Sequence, residues 1–210
     1  MQQYKNNCME VGLDEAGRGP LIGRVYAGAV IWSNNTCSLI NDSKKLTPKK
    51  RALALEWIYK NIKYWGVGYA DEKEIDKINI LNATKLAMDR AIQNMMERSP
   101  TLIVKDLIID GVGWDNKFPS YNVSSVIKGD SIYYSIAAAS IIAKESHDQH
   151  IRELVKLDPT LDTKYGLLSC MGYPTKKHLD GVLKYGGSIY HRYSFSPLKE
   201  DMSWGATPNS

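Results

Sequence analysis

The residues most suited to chemistry lie between positions 11 and 20. Two adjacent carboxylates, Asp14 and Glu15, follow a short apolar run and precede the sequence Gly17-Arg18-Gly19-Pro20. Two unit charges about 4 Å apart repel by roughly 4 kcal/mol at an effective dielectric near 20. Such a pair at the end of a strand needs a positive charge nearby, and a divalent metal ion is the obvious candidate.

Two further aspartates follow strand-like patterns. Asp110 ends the apolar run Leu107-Ile108-Ile109, and Asp130 comes after the short strand pattern of residues 123–127. Because sites in α/β proteins form at the carboxyl ends of strands, we expect these carboxylates to converge with the first pair. The alternative is that each aspartate only caps a helix or turn.

Carboxylates without histidine or cysteine partners favour hard ions such as Mg²⁺ or Mn²⁺. Two such ions about 3.5–4 Å apart activate a water and stabilise the leaving oxygen of a phosphodiester. The pattern therefore indicates metal-dependent phosphodiester hydrolysis.

Strand-like and helix-like patterns alternate along the chain around these residues, which predicts an α/β fold. Strands are expected at 9–13, 24–32, 64–70, 107–111 and 123–127, and helices from Pro48, over 80–97, over 131–157 and over 175–185. We interpret 71–77 as a charged link and 158–174 as a looser segment. The small residues 137–140 permit close approach of their helix to a sheet or neighbouring helix.

Composition indicates a globular protein, and the 210 residues suit one domain over 1–210. The sequence shows no membrane span and no apolar targeting segment, so we expect a cytoplasmic protein. Its net charge of +4 suits a polyanionic partner without requiring one. The cysteines Cys8, Cys37 and Cys170 have no CxxC spacing, which predicts neither a disulfide framework nor a zinc site.

Several blocks, taken together and in this order, resemble the ribonuclease HII family, the type 2 ribonucleases H. They cover the chain from about residue 10 to residue 197 and lie at 14–20, 42–46, 109–111, 128–130, 135–144, 172–175 and 191–195. Any one block alone would be unspecific. The related ribonuclease HIII is disfavoured because it usually has an extra N-terminal domain and lacks an arginine between these glycines.

The resemblance implies a ribonuclease H-like α/β fold, a mixed sheet flanked by helices, with a C-terminal helical extension that we place at about 158–203. It implies an endonuclease that hydrolyses the RNA strand of RNA–DNA hybrids to 5′-phosphomonoesters. It also implies incision 5′ of ribonucleotides embedded in duplex DNA, as in replication and repair. The implied catalytic metal ligands, for two Mg²⁺ or Mn²⁺ ions, are Asp14, Glu15, Asp110 and Asp130.

The resemblance also implies substrate-binding residues. Gly17, Arg18 and Gly19 would read the ribose 2′-hydroxyl, since glycines allow close backbone approach and this hydroxyl distinguishes RNA from DNA. Tyr173 would pack on the sugar of the following deoxynucleotide. The remaining expected substrate contacts are basic: Lys44 and Lys45 on phosphates, and Arg192 as either a structural residue or a phosphate contact.

Other expectations follow from residues outside the expected catalytic set. We expect His147, His150 and His178 on the surface, and Lys49, Lys50 and Arg51 in solvent. His147 stands where the family commonly has an arginine. The tail after Pro197 shows no glutamine-plus-paired-aromatic motif for a sliding clamp, and we expect a monomer.

Two alternatives to a nuclease were considered. A dinucleotide-binding loop fails because the glycines follow a double carboxylate, which would repel a pyrophosphate. A catalytically inactive nucleic-acid-binding module with the same fold is the second, and the complete set of four carboxylates argues against it.

Overall fold

A five-stranded mixed sheet forms the centre of the computed structural model, which describes residues 1–3, 9–32 and 36–200, without the side chain of Glu200. The strands are β1 (Val11–Ala16), β2 (Val25–Ile31), β3 (Tyr64–Ala70), β4 (Asp106–Asp110) and β5 (Asn122–Val126). They lie in the order β3-β2-β1-β4-β5. The first three pair antiparallel, whereas β1, β4 and β5 run parallel.

Helices cover both faces of this sheet, as expected. They are α1 (Pro48–Asn61), α2 (Glu72–Glu97), α3 (Tyr134–Leu157), α4 (Thr160–Tyr165), α5 (Leu167–Cys170) and α6 (Lys176–Tyr185). Helix α2 packs on one face in a core shared with β1 and β2. Helices α1 and α3 pack on the other face.

Helix α3 lies unusually close to the sheet. A Cβ on Gly28 of β2 would lie 2.3 Å from the carbonyl oxygen of Ala139, and one on Gly12 of β1 would lie 2.5 Å from the carbonyl carbon of Ser135. Such contacts are not possible for real Cβ atoms, so only glycine fits at these positions. The close approach predicted from the small residues 137–140 is confirmed.

Three predicted boundaries were wrong. Strand β1 continues through the two carboxylates to Ala16, because these residues still pair with β2. Residues 71–77 are not a link, since Asp71 and Glu74 form a capping box that starts α2 at Glu72. The backbone of α2 is non-helical at Asn79, and the expected helix over 80–97 corresponds to the segment after this kink. Helix α3 begins at Tyr134, after a short 3₁₀ turn at Gly129–Ser131.

Over the described residues, the C-terminal extension contains three α-helices that share a third apolar cluster with the end of α3. Helices α4 and α5 contact α3, whereas α6 packs on α4. Of these, α4 and α5 were not anticipated, whereas α6 was. Residues 201–203 of the expected extension lie outside the described residues, as do Cys8 and most of the tail on which the clamp expectation depends. A single domain stays a prediction. Over the described ranges, every helix is too short or too polar to cross a membrane.

Burial overturns the expectations for several polar side chains. His147 and His178 are fully buried, and His150 is only 8% exposed. Arg51 is buried too, and its guanidinium donates to the carboxylates of Glu145 and Asp148. The histidines of α3 lie under the loop of residues 17–23, since a Cβ on Gly17 would lie 2.4 Å from the ring of His147 and one on Gly23 would lie 3.3 Å from the ring of His150.

We predict that His150 makes stability pH-dependent. Burial, reinforced by the Arg24 charge, lowers its pKa to about 4, against about 6.5 in an unfolded chain. Below about pH 6.5 the unfolded chain binds a proton that the folded chain does not, so stability falls as pH falls. Between about pH 7 and about pH 5, wild type should lose roughly 2 kcal/mol more unfolding free energy than His150→Leu.

Urea denaturation at several pH values measures this difference. Leucine is a suitable replacement because His150 Nε2 has no hydrogen-bond partner among the described residues. Acidic groups whose pKa is raised, such as Asp14, act in the opposite direction, but they are common to both proteins and cancel in the comparison. Equal pH slopes for the two proteins would contradict the prediction.

Candidate active site

Three of the four expected carboxylates meet at one edge of the sheet. Asp14, Asp110 and Asp130 each offer an oxygen, and these oxygens all lie within 4.8 Å of one another. The topology explains this convergence, because β1, β4 and β5 are parallel neighbours whose carboxyl ends share an edge. Asp130 lies in the 3₁₀ turn that follows β5.

The cluster is electrostatically unfavourable without a cation. Burial raises the pKa of the Asp14 carboxyl well above its ordinary value, and the charges of Glu15 and Asp110 raise it further. Burial, together with the charges of Asp110 and Asp42, also raises the pKa of Asp130. Oxygen donors held this close suit a hard divalent cation, which would favour their charged forms.

Glu15 lies beside this cluster rather than in it. Its Oε1 accepts a hydrogen bond from the Arg18 guanidinium at 3.0 Å. Its Oε2 is buried and has no hydrogen-bond partner among the described residues. Burial raises the pKa of Glu15, and the hydrogen bond from Arg18 opposes that rise. A buried carboxylate oxygen without a donor is what a further cation ligand would look like, so the residue fits a metal site.

Hydrogen bonds from the backbone orient two of the carboxylates. The Gly129 N–H donates to Asp110 Oδ1 at 2.7 Å, and the Glu15 N–H donates to Asp14 Oδ1 at 2.7 Å. The Ser140 hydroxyl on α3 lines the same cavity as Asp14 and works against the rise in the pKa of Asp14. Ser140 in turn bonds Ser43, with the two hydroxyl oxygens 2.7 Å apart.

The glycine loop and Tyr173 lie next to these carboxylates. Gly17 has φ +90°, and a Cβ there would lie 2.4 Å from the His147 ring. A Cβ on Gly19 would lie 3.3 Å from the ring of Tyr173, so the ring packs against the loop. Tyr173 is 38% exposed and is therefore not a core residue. It lines one cavity of about 270 Å³ together with Asp14.

The two lysines predicted near the site are there. Lys44 Nζ lies 3.7 Å from Asp130 Oδ2, and the side chain is 79% exposed. Lys45 Nζ lies 3.2 Å from Ser131 Oγ, one residue after Asp130, and 3.7 Å from Asp42 Oδ2. Both side chains are free to reach toward a phosphate while remaining next to the carboxylates.

Arg192 must be corrected as a substrate contact. The residue has no exposed surface, and its guanidinium donates four hydrogen bonds to backbone carbonyls of residues 17–23. A side chain in that position does not reach a bound phosphate. Of the two roles considered for it from sequence, the structural one fits.

Sequence reasoning missed two residues of α3 that line the site, Ser140 and Lys144. Lys144 Nζ lies 2.7 Å from Asp148 Oδ1 and 5.6 Å from the centre of the Tyr173 ring. The signal was available, because the two positions are four apart and therefore share a helix face. What the sequence did not reveal is that this face meets the carboxyl end of β1.

A buried histidine pair holds the backbone of Tyr173, and hydrogen-bond direction fixes its proton positions. The Ser188 N–H donates to Nδ1 of His191 at 2.9 Å, so the His191 proton lies on Nε2. That Nε2 donates to Nε2 of His178 at 3.1 Å. The remaining His178 proton, on Nδ1, is donated to the carbonyl of Tyr173 at 3.1 Å.

We predict that Ser140→Ala weakens Mn²⁺ binding by about tenfold. Ser140 lines the same cavity as Asp14 and favours its charged form, and the loss of such an outer partner of a metal ligand typically costs 10–100-fold in affinity. Titration calorimetry of the protein with Mn²⁺ measures the effect. The matched control is Ser135→Ala on the same helix, whose side chain packs against Gly12 rather than Asp14. Equal Mn²⁺ affinity in the two variants would contradict this role of Ser140.

Comparison with known proteins agrees with this geometry. The family model described as Ribonuclease HII matches residues 11–197. The curated relative from Polynucleobacter necessarius, a Ribonuclease HII, is 44% identical over 192 residues, which is 90% of this chain and 93% of the relative. The Ribonuclease HII of Pelagibacter ubique is 46% identical over 193 residues, covering 90% of this chain and 96% of the relative.

Solved structures give the same result for the fold. The ribonuclease H2 of Pyrococcus horikoshii superposes with a TM-score of 0.67 at 26% identity, covering 90% of this chain and 95% of that one. The structure titled as a PCNA:RNase HII complex from Archaeoglobus fulgidus gives 0.67 at 22% identity, over 92% of this chain and 98% of that one. A Bst-RNase HIII structure gives 0.71 at 19% identity, over 92% of this chain and 69% of that one. The last two likenesses support the fold alone.

Proposed function

The chain belongs to the ribonuclease HII family, and on that premise we propose that its three-aspartate cluster is the metal centre that carries out the family's reaction. The protein is a ribonuclease H that hydrolyses the RNA strand of RNA–DNA hybrids. The observation that carries the proposal is that carboxylate oxygens of Asp14, Asp110 and Asp130 lie within 4.8 Å of one another.

The proposed ligands are these three aspartates and Glu15. The raised pKa of Asp14 and the donor-free Oε2 of Glu15 support a cation there. Bound Mg²⁺ or Mn²⁺, one or two ions, would supply an activated water and stabilise the leaving oxygen of the phosphodiester. The backbone N–H groups of Gly129 and Glu15 keep Asp110 and Asp14 oriented for those ions.

Substrate selection is proposed to rest on the adjacent glycine loop and on Tyr173. The loop lies directly after the carboxylates, and the exposed Tyr173 ring packs against Gly19. A ribose read by the loop would lie beside the scissile phosphate, and the aromatic face would favour a sugar without a 2′-hydroxyl next to it. This arrangement supports incision 5′ of a ribonucleotide embedded in duplex DNA. Lys44 is proposed to contact the phosphate.

The alternative of a non-catalytic nucleic-acid-binding module finds no support. A protein that only bound a polyanion would gain affinity from cations, whereas three converging carboxylates repel phosphates unless a metal ion lies between them.

We predict that Asp110→Asn lowers cleavage of an RNA–DNA hybrid at least about 100-fold, because a metal ligand that stabilises transition-state charge is lost. Hybrid binding should persist, since the substitution removes a negative charge facing phosphates. Single-turnover cleavage with Mg²⁺ and a filter-binding assay measure the two quantities.

Asp106→Asn is the matched control for this experiment. Asp106 starts the same strand, at the end opposite the cluster, and its carboxylate accepts a hydrogen bond from Asn122. The Asp106→Asn protein should cleave the RNA–DNA hybrid at the wild-type rate. Cleavage by Asp110→Asn at the wild-type rate would refute the assignment of the metal centre.

We predict that Tyr173→Ala lowers incision at a single ribonucleotide in duplex DNA by about tenfold or more, because an aromatic contact with nucleic acid is worth about 1–3 kcal/mol. Cleavage is mapped on a gel that distinguishes the 5′ from the 3′ side of the ribonucleotide. The control Tyr59→Ala removes a tyrosine that is similarly exposed, at 40%, but packs on Trp65. If both variants lose melting temperature and activity in parallel, Tyr173 has only a structural role.

A further inference from the structure

Arg192 is a buried cation whose guanidinium donates hydrogen bonds to the backbone of one loop, residues 17–23. Its Nε and Nη2 donate to the carbonyl oxygens of Gly23 at 2.8 Å and Gly17 at 2.7 Å. Its Nη1 donates to those of Pro20 at 2.8 Å and Arg18 at 3.1 Å. The planar fork of a guanidinium can serve several carbonyls at once, which a lysine ammonium cannot do in the same geometry.

These bonds determine where the loop's N–H groups point. In a trans peptide, the carbonyl of one residue and the N–H of the next point in opposite directions. Because the carbonyls of Gly17 and Arg18 point inward to the buried guanidinium, the N–H groups of Arg18 and Gly19 must point away from it. Both of those residues are exposed.

The two outward N–H groups have no acceptor within the described part of the chain. They lie between the carboxylate of Glu15, which bonds the Arg18 side chain, and the ring of Tyr173, which packs on Gly19. A sugar hydroxyl that enters between the metal centre and Tyr173 would therefore meet donors that are already oriented. Donors held in place before binding need little ordering when the substrate arrives.

Apart from the loop carbonyls, the Arg192 guanidinium faces the ring of Phe195, whose centroid lies 5.2 Å from Cζ. No carboxylate among the described residues accepts a hydrogen bond from the guanidinium, and the backbone N–H of Arg192 pairs with the carbonyl of Leu21 at 2.8 Å. Burial lowers its pKa to about 9, so it remains charged near neutral pH. Its charge therefore polarises the peptide groups whose N–H ends face outward.

We propose that Arg192 is a positioning residue for ribose recognition: it orients the Arg18 and Gly19 N–H groups toward the substrate's 2′-hydroxyl. This inference rests on the proposed function of the glycine loop. By this inference, the enzyme's ability to distinguish ribose from deoxyribose depends on a residue that does not itself touch the substrate.

Arg192→Lys in an Asp110→Asn background tests the proposal by binding alone. The quantity measured is the ratio of two dissociation constants, for an all-DNA duplex and for the same duplex with one ribonucleotide. The ratio should fall about tenfold, since misplacing one or two hydrogen bonds changes affinity by about that factor. Affinity for the all-DNA duplex should stay within about twofold, because no phosphate contact changes.

Arg24→Lys is the matched control in the same background, because Arg24 follows Gly23 but its guanidinium lies over the Tyr69 ring, 4.1 Å from the centroid. It should leave the ratio unchanged. An unchanged ratio in folded Arg192→Lys would overturn the proposal. A parallel fall in affinity for both duplexes would also overturn it, because Arg192 would then be structural only.

A second measurement uses the wild-type protein and does not depend on a variant folding. In nuclear magnetic resonance spectra, the Arg18 and Gly19 amides should exchange rapidly with solvent in the free enzyme. They should become protected on binding the duplex with one ribonucleotide but not on binding all-DNA duplex. Slow exchange in the free enzyme, or equal protection by both duplexes, would overturn the proposal. Failure of wild type to cleave any RNA–DNA hybrid would instead refute the proposed function itself.

Discussion

Mutual repulsion among carboxylates at one edge of the sheet is the constraint on which the rest of the structure depends. One carboxylate oxygen from each of Asp14, Asp110 and Asp130 lies within 4.8 Å of the other two. Burial of Asp14 raises its pKa well above the ordinary value. Such a cluster needs structural support that holds the carboxylates together against their repulsion. Parallel pairing of β1, β4 and β5 brings the backbone positions together, and hydrogen bonds from the N–H groups of Gly129 and Glu15 fix the side chains of Asp110 and Asp14.

Exposed groups of the proposed substrate-binding surface are held by buried groups behind them. The outward N–H groups of the glycine loop depend on Arg192, and the position of Tyr173 depends on the hydrogen-bonded pair His178 and His191. All three holding side chains are buried. This separation allows precise placement, because the holding bonds form on folding and are shielded from competing water. The C-terminal extension thus contributes to the site through its interior as well as its surface.

Sequence patterns were sufficient for the part of the site that follows from strand order. Carboxylates at the ends of three strand-like segments predicted a metal centre, and three of the four carboxylates do converge. Glu15 could not be placed in the same way, because neighbouring residues of a strand point to opposite faces. The hydrogen bond from Arg18 to Glu15 forms because the loop turns back after the strand, and only the structure shows this. The start of α1 at Pro48 was predicted correctly, whereas the capping box at Asp71 was interpreted as a link.

The sequence by itself determined the donor chemistry, the α/β order of elements and, through several blocks in series, the family. Only the tertiary structure decided which polar residues are buried: His147, His150, His178, Arg51 and Arg192. The physical reason is that burial of a polar side chain depends on a second surface that covers it. For His147 and His150 on α3, that surface is the loop of residues 17–23, which is distant from them in the chain. Local periodicity identifies the face of a helix that meets the sheet, but it carries no information about what packs on the other side. The sequence likewise left Arg192 as either a structural residue or a phosphate contact, and only the structure shows that it lies behind the glycine loop.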